Sequence, residues 1–377
     1  MTTPDSPLQA WADWQAGQTA LIHQAGQWRA PRTFDGQGPS GVVDGKHVIN
    51  FASNDYLGLS HDPTVVAAAH AAIDTWGTGS CASRLVVGTR PIHDELEAAL
   101  SAWKNCDRAV VFATGFAANL GVLTVLAGPD VTVLSDELNH ASIIDGCRLS
   151  KGQLHVYRHN DLNHLADLLA ASSSRTVVVT DSIFSMDGDA ADLAALIDLT
   201  AHHGALLILD EAHAVLGPDI SGPTPDHVIR VGTLSKTLGS LGGFVAASAS
   251  IVNLLINRAR SYIFTTATSP ADAAAALAAV RICESPHGDV LRIHLRSLID
   301  QIRPGHPSPV IPVILGQESV ALAATEALFA RGLWVPAIRP PTVAPGTSRL
   351  RVALSADHTS HNVADLLAAL DDLGIAP

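Results

Sequence analysis

Cysteine is rare in this sequence, and its few cysteines form no recognisable pattern. Cys81, Cys106, Cys147 and Cys283 include no Cys-x-x-Cys pair, so neither a disulfide framework nor a structural zinc site is indicated. Because proteins of reducing compartments keep their thiols free, we expect four reduced cysteines in a cytoplasmic protein.

Long apolar runs and an excess of basic charge are also missing. Apolar stretches are interrupted by Gly, Asp or His well before the roughly 20 residues that a membrane span needs. Residues 1–18 carry Asp5 and Asp13 and no apolar core, which argues against a signal peptide. The formal net charge of −13 argues against a nucleic-acid partner, because an acidic surface repels phosphates. We therefore expect a soluble protein that binds neither membranes nor nucleic acids.

Aromatic residues make up only 5% of the chain, although 47% of its residues are apolar. Alanine, leucine and valine supply most of that apolar fraction, which suits helices packed against a sheet. A chain of 377 residues can bury one large core and a smaller second one.

Short apolar runs alternate with helical stretches and predict an α/β protein with a mostly parallel central sheet covered by helices on both faces. This large domain is predicted over residues 61–284, with a smaller α+β domain over residues 285–377 that residues 1–60 join. Residues 1–50 are rich in Gly, Pro and Gln and are expected to be irregular after a short helical start. The predicted strands of the large domain are Arg108–Phe112, Val131–Ser135, Thr176–Asp181, Ala205–Asp210, Val228–Gly232 and Gly243–Ala247.

Polar side chains collect where these predicted strands end. In an open α/β sheet, ligands bind outside the carboxyl ends of the strands, so these residues are the candidates for a site. They are unusually rich in hydroxyls, carboxylates and histidines and include one lysine. The segments are Thr114-Gly115, Asp136–His140, Asp181–Ser185, Asp210–His213 and Thr233–Lys236.

Three of these residues suggest covalent chemistry on a bound ring. Lys236 follows an apolar strand beside small hydroxyl residues and glycines, and a desolvated lysine can lose its proton and form a Schiff base. Asp210 ends another apolar strand, where a carboxylate is costly unless it is paired. Such an aspartate could hold a protonated pyridine nitrogen, and His213 three residues later could reach the oxygen of the same ring.

Two nucleotide-binding interpretations of local motifs are weak. Asp210-Glu-Ala-His213 is also a helicase motif, but no G-x-x-x-x-G-K-[ST] phosphate loop accompanies it. Gly77-Thr-Gly79-Ser-Cys-Ala82 is a loose match to a dinucleotide fingerprint, yet it follows a helix instead of a strand. Thr114–Asn119, by contrast, turns from a strand into a helix, where free N–H groups would hold a phosphate, although the motif alone is as typical of an ordinary capped helix start.

Taken together and in this order, six motifs resemble the α-oxoamine synthase family of fold-type I enzymes that use pyridoxal 5′-phosphate (PLP). The resemblance runs from about residue 50 to residue 356. The motifs are Asn50-Phe-Ala-Ser-Asn-Asp-Tyr-Leu-Gly-Leu59, Thr114-Gly-Phe-Ala-Ala-Asn119, Asn139-His-Ala-Ser142, Phe184-Ser-Met-Asp-Gly188, Asp210-Glu-Ala-His213 and Thr233-Leu-Ser-Lys236.

The resemblance implies that an amino acid is joined to an acyl thioester with loss of CO2. Ala337–Val343, followed by Gly346–Arg351, is similar to the branch of the family that condenses L-alanine with pimeloyl-CoA, or with a pimeloyl carrier protein, in biotin biosynthesis. The rivals are glycine C-acetyltransferase, 5-aminolevulinate synthase and serine palmitoyltransferase, with the same chemistry on other substrates. A non-catalytic binding protein on the same fold is the alternative of a different class.

The family's roles are carried over residue by residue. Lys236 is implied to form the Schiff base, with His140 stacking on the ring and Asp210 pairing with its nitrogen as the other catalytic residues. His213 and Ser185 are implied to contact the ring oxygen region. The implied phosphate ligands are Gly115, Phe116 and Thr233. Thr266 lies in a segment implied to reach the phosphate of the partner subunit, and hence a homodimer is implied. Substrate is implied to contact Arg29, Arg339 and Thr342, with Arg339 binding the amino-acid carboxylate.

This sequence departs from the family in two places. The stretch Ala214–Gly217 after His213 is about two residues short, which affects the substrate channel more than the cofactor site. Cys81 stands where small residues are common, and we expect a packed thiol there, not a nucleophile.

Overall fold

The computed structural model describes residues 7–173 and 175–377. The helices are α1 Pro7–Gln24, α2 Pro63–Trp76, α3 Pro91–Trp103, α4 Gly115–Leu126, α5 Ala141–Ser150, α6 Leu162–Ala171, α7 Leu193–His202, α8 Ala249–Arg258, α9 Arg260–Ile263, α10 Pro270–Cys283, α11 Pro286–Ile302, α12 Glu318–Ala330 and α13 Ser360–Asp372. The strands are β1 Phe34–Gln37, β2 Ser40–Val43, β3 Lys46–Asn50, β4 Arg108–Phe112, β5 Val131–Asp136, β6 Gln153–Tyr157, β7 Arg175–Asp181, β8 Leu206–Asp210, β9 Val228–Thr233, β10 Gly243–Ala247, β11 Val310–Gly316, β12 Leu333–Trp334, β13 Ala337–Ile338 and β14 Ser348–Ala353. A 3₁₀ turn spans Leu59–His61, and a π-helical turn spans Arg84–Gly88.

The large sheet has the strand order β4-β10-β9-β8-β7-β5-β6. The pairs from β9 through β6 are parallel, and only β10 runs against its two neighbours. The predicted mostly parallel sheet is therefore confirmed. Parallel strands are joined by crossover helices, which explains the alternation of apolar runs and helical stretches in the sequence.

Helices cover both faces of this sheet. Along β4, Ala109 and Val111 pack into a core with α3 and α10, whereas Val110 and Phe112 pack into another core with α4, α5 and α8. Successive side chains of a strand point to opposite faces, so a strand buried on both faces must be apolar throughout. Each buried Val or Leu side chain stabilises the fold by about 1.5–3 kcal/mol.

Two smaller sheets complete the chain, and one of them corrects an expectation. Residues 1–50 were expected to be irregular after a short helical start, but α1 has 18 residues and β1, β2 and β3 form an antiparallel meander. The glycines there make tight turns: Asp44 and Gly45 both have positive φ, the geometry of a two-residue hairpin turn. The meander pairs with β12 in the order β1-β2-β3-β12, and the third sheet has the order β11-β14-β13.

The carboxyl ends of the large sheet's parallel strands meet along one edge. Asp136, Asp181, Asp210 and Thr233 are the last residues of β5, β7, β8 and β9. The edge is thus the place where a ligand site is expected. Among the helices of the described residues, none is long and apolar enough to cross a membrane.

Candidate active site

A cavity of about 210 Å³ opens at this edge. Seven of the residues predicted from the sequence line it together, although they come from four different strand ends or helix starts. They are Gly115, Phe116, His140, Asp210, His213, Thr233 and Lys236. These predicted residues therefore lie together in the structure, because strand order brings separate chain segments to one edge.

A chain of hydrogen bonds runs from Lys236 into the protein. Lys236 Nζ lies 2.9 Å from His213 Nε2, and His213 Nδ1 lies 2.6 Å from the Tyr56 hydroxyl. The Tyr56 hydroxyl in turn donates to Asn54 Oδ1 at 3.0 Å. His213 and Tyr56 are buried, so both nitrogens of the imidazole have fixed partners and the ring cannot turn freely.

Burial determines the protonation states of the three residues in this hydrogen-bonded chain. Desolvation lowers the pKa of Lys236, although Asp210 and Asp181 oppose the change. Burial also lowers the pKa of His213 well below its usual value, and the Lys236 charge adds to the effect. Burial raises the pKa of Tyr56 to about 12. At neutral pH, His213 is therefore a neutral imidazole and Tyr56 a neutral phenol, and Lys236 gives up a proton more readily than an exposed lysine.

Asp210 is held in one orientation by its neighbours. Its Oδ2 accepts a hydrogen bond from Asn119 Nδ2 at 2.7 Å, and its Oδ1 accepts from the Ala212 N–H at 2.9 Å. Asn119 Nδ2 also contacts Ser142 Oγ at 2.9 Å. The buried carboxylate thus has the partners that burial requires, and it presents negative charge to the cavity.

His140 lines the cavity together with Asp210. Its backbone N–H donates to Asp181 Oδ2 at 2.8 Å, and its Nδ1 lies 2.8 Å from Ser142 Oγ. The side chain is exposed, so a face of the ring is available for stacking on a flat ligand. Burial, with Asp210 nearby, raises the pKa of Asp181 well above its usual value.

The start of α4 forms a cradle for an anion. Thr114 caps the helix by accepting the Ala117 N–H at 3.0 Å, and the N–H groups of Gly115 and Phe116 belong to the first turn, which has no acceptors within the helix. Thr233 lies directly against Gly115, because a Cβ on that glycine would be 3.3 Å from Thr233 Cβ. N–H groups at a helix start attract a phosphate.

Ser185 is not among the described residues that line the cavity, but its backbone is tied to the hydrogen-bonded chain. Its carbonyl accepts from Arg351 Nε at 2.7 Å, and Arg351 Nη2 donates to Asn54 Oδ1 at 3.1 Å. Asn54 also contacts Tyr56. The predicted ring-contact loop is therefore connected to His213 through Arg351, Asn54 and Tyr56.

Arg29, Arg339 and Thr342 form a second group. Arg339 donates to the carbonyls of Gly26 and Trp28, the latter at 2.9 Å, and Arg29 Nη2 donates to the Pro340 carbonyl at 3.3 Å. The Thr342 N–H donates to the Arg339 carbonyl at 3.1 Å. The turn after α1 therefore covers the predicted carboxylate-binding arginine.

Thr266 and Cys81 lie on the surface. Thr266 is exposed. Exposure in the single chain is what the predicted contact with a partner subunit requires. Cys81 is also exposed and has φ of 58°. The expectation of a packed thiol is wrong for this chain, because the left-handed backbone at Cys81 turns the side chain away from the core.

Local sequence reasoning assigned no individual roles to Asn54, Tyr56, Asn119, Ser142 or Arg351. The first four lie inside motifs that carried the family resemblance, and the signal was their position in those motifs. Arg351 ends the Gly346–Arg351 segment. Their contacts reach residues up to 297 positions away, which no local pattern specifies.

Tyr56→Phe tests the chain of hydrogen bonds. The variant keeps the buried ring and removes the hydroxyl that holds His213 Nδ1, so we expect turnover to fall about tenfold, as for the loss of one buried hydrogen bond. Steady-state rates across pH 6–9 measure it, because a loosened His213 must also alter the pH profile. Tyr157→Phe, a buried tyrosine at the end of β6, is the control. Equal rates and pH profiles for Tyr56→Phe and wild type would show that the hydroxyl is dispensable.

Comparison with known proteins identifies the family of this chain. The aminotransferase class I and II family model matches residues 46–370. The 8-amino-7-oxononanoate synthase of Anaeromyxobacter dehalogenans is 47% identical over 378 residues, which covers 95% of this chain and 94% of that protein.

Solved structures of related enzymes have the same fold as this chain. The serine palmitoyltransferase of S. paucimobilis with a bound PLP–myriocin aldimine has a TM-score of 0.89 at 29% identity, covering 98% of this chain and 100% of that chain. The 8-amino-7-oxononanoate synthase of Francisella tularensis has a TM-score of 0.73 at 27% identity, covering 87% and 98%. The fold-type I architecture inferred from the motifs is confirmed. The chain belongs to the aminotransferase class I and II family and, within it, to the 8-amino-7-oxononanoate synthase family.

Proposed function

We propose that this protein is a PLP-dependent acyltransferase that condenses L-alanine with a pimeloyl thioester, yielding 8-amino-7-oxononanoate, CO2 and the free thiol in biotin biosynthesis. The pimeloyl group is carried by CoA or by an acyl carrier protein. The observation that carries the proposal is the cavity in which Lys236, Asp210, His140 and the α4 cradle converge. The 47% identity to a relative named for this product supports the reaction.

The residues of the cavity fit PLP by their chemistry. An amine of lowered pKa can bond the aldehyde carbon, the Asp210 carboxylate suits a protonated pyridine nitrogen, and the first turn of α4 suits the phosphate. The exposed ring of His140 offers a stacking surface. Neither a dinucleotide nor a metal ion would use the lysine amine, the carboxylate, the stacking ring and the helix start together.

When bound, PLP supplies an electron sink for negative charge at the substrate Cα. Lys236 Nζ takes the Cα proton and later returns a proton, which a lowered pKa favours. Asp210 keeps the proton on the pyridine nitrogen, and Asn119 holds the Asp210 carboxylate in place. Neutral His213, fixed by Tyr56, positions Lys236 Nζ. Gly115, Phe116 and Thr233 hold the phosphate.

Arg339 is proposed to bind the carboxylate of L-alanine, with Arg29 and Thr342 nearby. The Gly26 and Trp28 carbonyls contact its guanidinium, and the Glu318 carboxylate lies 3.8 Å from it. A substrate carboxylate would replace the two carbonyls with a charged acceptor, which forms stronger hydrogen bonds. Ser185 is proposed to approach the ring oxygen once PLP fills the cavity.

Product analysis tests the reaction. Purified protein with PLP, L-alanine and pimeloyl-CoA should release CoA and CO2 and form 8-amino-7-oxononanoate, identified by mass spectrometry. Glycine and L-serine, the amino acids of the sibling enzymes, should give less than about a tenth of that rate. A faster reaction with glycine or L-serine would move the protein to a sibling activity, and no reaction with any of them would favour a binding protein.

A homodimer with shared active sites is part of the proposal. Leu85, Val86 and Val87 of the π-helical turn and Phe264 after α9 are more than half exposed. The Ala267 N–H donates to the Ala82 carbonyl at 3.0 Å, so the two segments that carry these exposed apolar side chains adjoin each other near Thr266. An apolar patch of this kind is typical of a subunit interface.

Free thiols at all four cysteines fit a cytoplasmic location.

Phe264→Glu should convert the dimer to a monomer, because it buries a charge in an apolar interface. Sedimentation velocity measures the change, and turnover should fall with the dimer fraction. Ile293→Glu on α11, where the isoleucine is 70% exposed like the 69% of Phe264, is the matched control and should remain dimeric. A wild-type monomer with full activity would contradict the shared site.

A further inference from the structure

His159 lies outside the cavity and has no role in the proposed reaction, yet both of its ring nitrogens contact carboxylates. Nδ1 is 3.0 Å from Asp136 Oδ1, and Nε2 is 2.8 Å from Asp189 Oδ2. Asp136 ends β5, the strand that leads to His140, whereas Asp189 ends the loop that contains Ser185. The imidazole therefore connects the segment that leads to His140 with the loop that contains Ser185.

The loop in question is Phe184-Ser-Met-Asp-Gly-Asp189, the 184–189 loop. It closes on itself, because the Phe184 N–H donates to the Asp189 carbonyl at 3.1 Å and the Gly188 N–H donates to the Phe184 carbonyl at 2.8 Å. The His159 ring also packs edge-on against the buried Phe184 ring, with centroids 4.3 Å apart. His159 thus contacts the first and last residues of the loop.

The opposite side of the loop is tied to the small domain. Arg349 pairs with Asp187, and Arg351 Nε donates to the Ser185 carbonyl at 2.7 Å. A Cβ on Gly188 would lie 1.9 Å from the Val310 carbonyl, so the loop lies directly against β11. The loop is therefore held between β14 and β11 on one side and His159 on the other.

We propose that His159 is a positioning residue: as an imidazolium it joins Asp136 to Asp189 and so holds the 184–189 loop, and with it Ser185, against the cofactor site. The role of Ser185 in this statement rests on the proposed function. A neutral imidazole has only one N–H donor and cannot bridge two carboxylates, so the bridge requires the charged form.

Electrostatics supports the charged form. Burial lowers the pKa of His159, but the Asp136 and Asp189 carboxylates, which accept its hydrogen bonds, outweigh burial and raise the pKa to about 10. The sign follows from a raised pKa: the bridge stabilises the fold fully below about pH 6.5 and is lost as the pH rises through about 10. The titratable groups around it are Asp136, Glu137, Tyr157, Asp181, Asp189 and His306.

His159→Gln and Asp189→Asn remove the bridge in different ways. His159→Gln leaves the buried Asp136 carboxylate without a cation. Asp189→Asn changes only the outer carboxylate, which is 41% exposed, so this variant should fold even if His159→Gln does not. His155→Gln, at an exposed histidine of β6, is the matched control. Two quantities are measured for each protein at pH 7–10.5: hydrogen exchange of residues 183–190 without PLP, and the dissociation constant of PLP.

At pH 7 we expect both bridge variants to exchange this segment about tenfold faster than the control and to bind PLP about tenfold more weakly, as for the loss of one charge-assisted hydrogen bond. Above about pH 10, wild type should match the variants, because His159 is then neutral. Equal exchange at pH 7, or a ratio that stays constant across the pH range, would overturn the proposal. A wild type that binds no PLP, with exchange as expected, would refute the proposed function and leave the bridge intact.

Discussion

Lys236→Ala lowers the rate of 8-amino-7-oxononanoate formation by about 10⁴-fold or more. General base catalysis by a positioned side chain alone contributes 10²–10⁴-fold, and the same amine is also the proposed covalent link to PLP. Steady-state CoA release measures the effect. The fold should be retained, because Lys236 is only partly buried and its one polar side-chain contact is with His213.

Lys151→Asn is the matched control for this prediction. Lys151 is exposed and follows α5 with a φ of 64°, a left-handed conformation that asparagine tolerates. It should keep wild-type turnover. If the Lys236 variant kept more than about a hundredth of the wild-type rate, another residue would have to supply the base.

Asp210→Asn lowers turnover by about 100-fold or more. The amide keeps the size of the side chain but removes the negative charge that would hold a proton on the pyridine nitrogen, and electrostatic stabilisation of this kind is a large contribution to catalysis. The loss should fall on kcat more than on KM for L-alanine, because Asp210 is proposed to touch the cofactor and not the substrate.

Asn119→Ala separates the charge of Asp210 from its orientation. It removes the 2.7 Å hydrogen bond to Asp210 Oδ2 and keeps the carboxylate, so turnover should fall about tenfold, as for one hydrogen bond to a charged group. An Asp210→Asn variant that is no worse than Asn119→Ala would show that the charge of Asp210 is unimportant.

The sequence predicted the large sheet well and the N-terminal region poorly. Strands such as β4 and β10 were predicted to the residue because they are apolar on both faces. β6 was missed because it lies at the edge of the sheet, with four of its five residues exposed. The β1–β3 meander was missed because its strands have four or five residues each and its turns contain the glycines that suggested irregular chain.

The candidate site also has features that could be predicted from the sequence and features that could not. The convergence of Lys236, Asp210 and His213 could be predicted because strand ends gather at one edge, whatever the lengths of the intervening helices. The contact of Tyr56 with His213 could not, because it joins residues 157 positions apart through a loop. Arg339 stays a predicted substrate ligand. Its cover by the Gly26 and Trp28 carbonyls could not be predicted, because it depends on how the turn after α1 folds back.

The central claim is that Lys236 holds PLP, and chemical trapping tests it most directly. The protein is incubated with PLP, reduced with borohydride and digested, and the modified peptide is located by mass spectrometry. Modification of Lys236 at one equivalent per chain is the predicted result. Modification of Lys104 or Lys46 in its place, or no stable modification under conditions in which PLP binds, would contradict the account.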